Sequence, residues 1–127
     1  MPPLHVNICG WIYKMSTGIT TSGTWKRKWI VLCGNILWHY EDPWHMEHVK
    51  SSINCCNITD FIEESDGINF KMDFDEMTKK NEKAWDMRWD TDCLLEVKRT
   101  WRRRLTAASP NLFKSYLKNL KSLRKKK

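Results

Sequence analysis

Trp25-Lys26-Arg27-Lys28-Trp29-Ile30-Val31-Leu32, then Cys33, Gly34-Asn35 and Ile36-Leu37-Trp38-His39-Tyr40, alternates with a period of two. Lys26, Lys28, Ile30 and Leu32 share one face of an extended segment, and Trp25, Arg27, Trp29 and Val31 share the other. Gly34-Asn35 is a turn signal, so the stretch reads as strand, tight turn, strand. Its first face passes from charged to apolar. Such a strand has Lys26 and Lys28 at a mouth and Ile30 and Leu32 in a core.

The segment before it has the same character. In Gly10–Met15, Ile12 and Lys14 face one way while Trp11 and Tyr13 face the other. Ser16–Thr24, between the two strands, carries two glycines and no charge, which suits a loop. Ile19 lies at the tip of that loop. Beyond the turn, Asp42-Pro43 ends the third strand, and Trp44–Ser52 has no clear period. Ile53–Glu63 holds two short strands anchored by Ile58, Phe61 and Ile62. Asp66-Gly67 is a hairpin turn. Ile68, Phe70, Met72 and Phe74 then alternate cleanly. Asp75–Lys83 is a charged loop, and Trp85, Met87 and Trp89 alternate in a last strand. The count is about seven strands.

The period then changes. Leu94, Val97, Trp101, Leu105 and Ala108 fall on one helical stripe, with Thr91 as the expected cap and Asp92 in the first turn. Ser109-Pro110 stops this helix and starts another, serine as cap and proline at the first position. In that second helix Leu112, Phe113, Tyr116, Leu117, Leu120 and Leu123 form a stripe, with Lys114, Lys118, Lys121 and Arg124 around its other side. The expected architecture is mostly β, a curled sheet plugged by one helix, followed by a basic amphipathic tail helix. The expected division is a domain over residues 5–109 and a tail over 110–127.

The chain of 127 residues is the size of one domain. Its net charge of +7 is uneven. Residues 112–127 hold seven of the 22 basic residues and no acid, so the rest of the chain is neutral overall. Residues 51–92 hold eleven acids against five bases, and 93–111 hold five bases against one acid. Such a dipolar domain suits docking on an anionic surface in one orientation. A neutral folded part argues against nucleic acid as partner. The start of the chain lacks the pattern of a secretory signal, and no run reaches the length of a membrane span. Five cysteines without metal-type spacing read as reduced thiols of a cytoplasmic protein. His39, His45 and His48 with Cys55 and Cys56 match no standard zinc arrangement. No glycine-rich phosphate loop or hydrolase motif is present, so an enzyme is not expected, nor a cofactor.

Gly10-Trp11-Ile12-Tyr13-Lys14, Trp25 to Leu32, and Asn35-Ile36-Leu37-Trp38-His39-Tyr40-Glu41-Asp42 resemble the first three strands of a pleckstrin homology (PH) domain. The resemblance is ungapped from Trp25 to Asp42 and extends loosely to about Ser109, with Trp101 at the place of the family's helical tryptophan. Residues 43–84 agree in strand count only. The resemblance implies two near-orthogonal antiparallel sheets capped by a helix. It also implies a phosphoinositide headgroup site between the first two loops, formed by Lys14, Lys26, Lys28 and His39.

The residues themselves agree, since three ammonium groups on one face can converge on phosphate oxygens. Two departures stand out. Lys28 replaces the family's arginine and lacks its bidentate fork. His39 replaces a tyrosine, and a charged imidazole would favour binding near pH 6 over pH 8. Ile19, Arg27 and the tail residues Lys114, Lys118, Lys121 and Arg124 are the expected membrane contacts. The leading expectation is a monomeric module that binds phosphoinositides or other anionic phospholipids and is peripheral on a cytoplasmic membrane. The runner-up is an interaction domain of the same fold, with a protein partner held by the helix, a sheet edge or the tail.

Overall fold

The computed structural model describes residues 7–16, 24–78 and 81–125. Seven strands come first: β1 (Ile8–Ser16), β2 (Thr24–Cys33), β3 (Ile36–Tyr40), β4 (Val49–Asn54), β5 (Ile58–Glu63), β6 (Asn69–Phe74) and β7 (Ala84–Trp89). A single 3-10 turn, Cys55–Asn57, joins β4 to β5. Two helices follow, α1 (Leu95–Ala108) and α2 (Pro110–Lys125).

The strands form one antiparallel sheet in the order β4-β3-β2-β1-β7-β6-β5. The two expected sheets are therefore continuous. β1 is nine residues long, pairs with β2 along its whole length and also pairs with β7 through Ile12–Lys14. The sheet curls into a half-barrel closed by helix rather than by a β4–β5 pairing.

Period-two alternation produced these strands. Ile12 of β1, Ile30 and Leu32 of β2, and Leu37 of β3 are buried inside. So are Phe70, Met72 and Phe74 of β6, and Trp85, Met87 and Trp89 of β7. Phe70 stacks on Trp89 at 4.4 Å and on Phe61 at 5.1 Å. Such offset pairs add about 1 kcal/mol each beyond their area. Gly34 takes a φ of 62° in the two-residue β2–β3 turn, where a side chain would be strained. β4 begins at Val49, inside the stretch that shows no period in sequence. Its Ser51 is buried although polar.

The helix α1 differs from its expected form at one end. Its cap is Leu94, without a side-chain hydrogen bond, rather than Thr91, and Glu96 rather than Asp92 is the acid of its first turn. The reason is local. The Asp90 carbonyl accepts the Cys93 N–H at 2.9 Å and its carboxylate lies 3.4 Å from the Asp92 N. A turn forms where the helix was expected to begin. Trp101 and Leu105 enter the core, while Leu94 and Val97 of the expected stripe are exposed.

Ser109 ends α1 as expected and begins α2. Fully buried, it donates its hydroxyl to the Ile58 carbonyl at 3.2 Å and accepts the Leu112 N–H at 3.3 Å. Asn111 adds bonds to the Cys56 and Ile58 carbonyls at 3.2 and 3.1 Å. The root of α2 is thus fixed to the sheet.

Candidate lysine mouth and tail helix

Directly paired residues of antiparallel strands face the same side. Lys14 pairs with Lys26, and Ile12 with Lys28. Ile30 pairs with His39, and His39 with Ser51. The register therefore puts Lys14, Lys26, Lys28 and His39 on one inner face, at the end where Ile12 and Ile30 give way to charge. Arg27 lies on the other face. Its guanidinium sits 4.4 Å from the Trp11 ring centroid and 3.3 Å from the Asp90 carboxylate. Ile19 lies outside the described residues, and so does the side chain of Arg124.

The lysines are not equivalent. The Lys14 ammonium is buried and binds the Glu82 carboxylate at 2.6 Å. Glu82 comes from the β6–β7 connection. It also accepts the hydroxyls of Ser51 at 3.0 Å and Thr78 at 3.2 Å, while its own N–H donates to Thr78 Oγ1 at 3.1 Å. Burial alone would raise the Glu82 pKa. The Lys14 ammonium, by hydrogen bond and by charge, with the Ser51 hydroxyl, outweighs burial and holds the carboxyl below its usual range. Lys28 pairs with Glu41, whose side chain is half exposed. The hydrogen bond from Lys28 keeps that carboxyl ionised below its ordinary value. Lys26 is exposed and makes no ion pair among the described residues.

His39 sits behind these charges. It is 7% exposed, meets Trp85 edge-on at 6.0 Å, and neither ring nitrogen has a partner among the described residues. Burial pushes its pKa down to about 3, and the charges of Lys14 and Lys28 push the same way. The imidazole is therefore neutral at pH 6 as at pH 8. The binding advantage near pH 6 that a charged imidazole would give therefore has no basis in this burial. The sign of the linkage is the reverse of a paired histidine. Unfolded, the ring titrates near its ordinary 6.5, so His39 is fully compatible with the fold above that pH. Stability is then lost at about 1.4 kcal/mol per pH unit as pH falls toward the folded value. Between pH 7 and pH 5 the wild type should lose roughly 2 kcal/mol more in urea unfolding than a His39→Gln variant. Equal acid sensitivity of the two proteins would refute a neutral, buried His39.

The second feature is α2. Among the described side chains of its apolar stripe, Leu112 is buried, and Phe113, Tyr116, Leu117 and Leu120 are exposed. Lys114, Lys118 and Lys121 project beside them, exposed and without an ion pair among the described residues. Between α1 and the first turns of α2 runs an open groove lined by Arg99, Arg102, Arg103, Phe113 and Tyr116.

Sequence reasoning missed Ser51, Thr78 and Glu82. Glu82 reads as one more acid of a charged loop, and its lysine partner is 68 residues away. No local pattern announces that pairing.

The curled seven-stranded sheet with its plugging helix is the fold of pleckstrin homology domains. Among solved structures, the chain is similar to the Slm1 PH domain in complex with inositol-4-phosphate, with a TM-score of 0.65 and 14% identity over 84% of this chain and 99% of that one. It is also similar to the PH domain of human pleckstrin homology domain-containing protein family A member 5, with a TM-score of 0.57 and 25% identity over 81% of this chain and 76% of that one. A third likeness is the C-terminal PH domain of pleckstrin in complex with an inositol pentakisphosphate, with a TM-score of 0.59 and 18% identity over 82% and 95% of the two chains. No protein-family model and no curated protein sequence matches the chain.

Proposed function

We propose that this PH-fold chain is a binding module for anionic phospholipid surfaces, taking a phosphoinositide headgroup at the Lys14–Lys26–Lys28 mouth. The carrying observation is the strand register, which gathers three lysines and His39 onto one face at one end of the sheet. Two similar PH domains hold inositol phosphates, which supports the ligand class. The α2 face adds apolar side chains flanked by lysines, the composition of a helix that lies in a membrane interface. Residues 5–109 would act as the headgroup-reading domain and 110–127 as a second contact, with the protein peripheral on a cytoplasmic membrane. No helix among the described residues is long and apolar enough to cross one.

The runner-up is a protein-interaction domain of the same fold. Its support is the pairing of Lys14 and Lys28 with acids of the chain itself, which leaves the mouth less cationic than its lysines imply. Lys26→Glu with Lys28→Glu separates the two readings. Each cation near an anionic membrane contributes about 1 kcal/mol, so removing two should weaken binding to phosphoinositide vesicles at least about thirtyfold. Circular dichroism should show an unchanged fold. Undiminished vesicle binding by the double variant would favour the interaction reading.

A further inference from the structure

The mouth already holds an anion, and that anion belongs to the chain. One ammonium and two hydroxyls, from Lys14, Ser51 and Thr78, converge on the Glu82 carboxylate at 2.6, 3.0 and 3.2 Å. This is the donor set that a phosphate group takes: a cation for charge and hydroxyls for its remaining oxygens. Thr78 belongs to the same β6–β7 connection as Glu82, but Lys14 and Ser51 come from β1 and β4, 68 and 31 residues away, so the set is not the by-product of one turn. Beside it lies His39, 7% exposed, with both ring nitrogens unpartnered among the described residues. A buried imidazole without a partner is uncommon, because each unpaired nitrogen forfeits its hydrogen bond to water.

We propose that Glu82 is a displaceable surrogate ligand: its carboxylate fills the phosphate position of the mouth, and an inositol phosphate gains Lys14, Ser51 and Thr78 only when the Glu82 side chain leaves. This inference rests on the reading of the mouth as an inositol phosphate site and adds Ser51, Thr78 and Glu82 to it. The exchange is noncovalent. One carboxylate, carrying a single negative charge, gives up its donors to a phosphate monoester carrying more, and the neutral His39 has an N–H to offer the incoming group. With Glu82 in place, Lys14 is neutralised by Glu82 and Lys28 by Glu41, and of the three lysines only Lys26 has no acid partner among the described residues. Apparent affinity is therefore reduced by the small fraction of molecules in which the carboxylate is away. The device gives the buried Lys14 ammonium an anionic partner when no lipid is bound, where an unpaired buried cation would be costly.

The test uses the full chain and soluble inositol trisphosphate, with inorganic phosphate in parallel. Glu82→Gln keeps the side-chain shape and removes the charge, and it should bind inositol trisphosphate about tenfold tighter than the wild type or better. In the wild type, the Glu82 side-chain carboxyl carbon resonance should move as inositol trisphosphate saturates the protein, and stay put with the same concentration of inorganic phosphate. That second measurement needs no variant, so it decides the matter if Glu82→Gln fails to fold. Suppose the wild type binds inositol trisphosphate through Lys14 and Lys28 while Glu82→Gln has the same affinity and the Glu82 resonance is still. The surrogate is then overturned and the headgroup site stands. If neither the wild type nor folded Glu82→Gln binds, both ideas fall. Displacement of Glu82 by inorganic phosphate alone would overturn the headgroup as its ligand.

Discussion

Trp101→Ala is expected to remove roughly 3–5 kcal/mol of stability, the range for deleting a large buried aromatic side chain. Small domains hold only about 5–15 kcal/mol in total, so the variant should be near unfolding at room temperature. The size of the effect follows from how little else holds α1. Of its fourteen residues only Trp101 and Leu105 are buried. Leu95 and Val97 point to solvent, and Leu94 caps the helix without a side-chain bond. Trp101 enters the open side of the half-barrel close to Gly10, the backbone of which comes near its indole nitrogen. Losing that plug exposes the core rows of β6 and β7 and loosens the root of α2 as well. Val97→Ala is the control, since an exposed position should change stability by no more than about 0.5 kcal/mol. Urea titration followed by circular dichroism measures both. A loss below about 1 kcal/mol for Trp101→Ala would mean that the helix is not the plug described.

The contrast between Trp101 and Val97 shows where a single sequence is legible. Strands were readable because burial on a curled sheet imposes a period of two on residues such as Phe70, Met72 and Phe74, and that period is local. The helix was readable as a helix, but its first turn was not. Leu94 and Val97 keep the right spacing and lie beyond the edge of the surface they would cover, and Asp90 captures the backbone groups that Thr91 was expected to arrange. The start of β4 was hidden because Val49 and Ser51 carry no alternation of hydrophobicity. The mouth divides in the same way. Lys14, Lys26 and Lys28 could be placed on one face from alternation alone. That same alternation puts Arg27 on the opposite face, where it packs on Trp11. The acids that neutralise the lysines could not be seen, because Glu82 reaches Lys14 only once the distant β7 has paired with β1. The pH behaviour of His39 also depends on burial, which overrides the ordinary imidazole value.

The tail should carry the largest effect on membrane association. Lys114, Lys118 and Lys121 are exposed, and their replacement by glutamate leaves the buried root at Ser109 and Leu112 untouched. At about 1 kcal/mol per cation near an anionic surface, losing three should weaken binding roughly a hundredfold, and reversing them adds repulsion. The mouth cannot match this. Two of its three lysines are paired with acids, and a compact site offers its charges to one headgroup at a time. The triple variant Lys114→Glu, Lys118→Glu, Lys121→Glu should therefore lose binding to phosphatidylcholine vesicles containing phosphatidylserine, while soluble inositol trisphosphate still binds. Binding by the wild type should also weaken as salt is raised, because exposed charges are screened beyond a Debye length of about 8 Å at physiological ionic strength. A triple variant that sediments with these vesicles as well as the wild type would show that Phe113, Tyr116, Leu117 and Leu120 face something other than lipid. The exposed side of α2 would then be the surface of a protein partner, and the lysines merely its solvated flank.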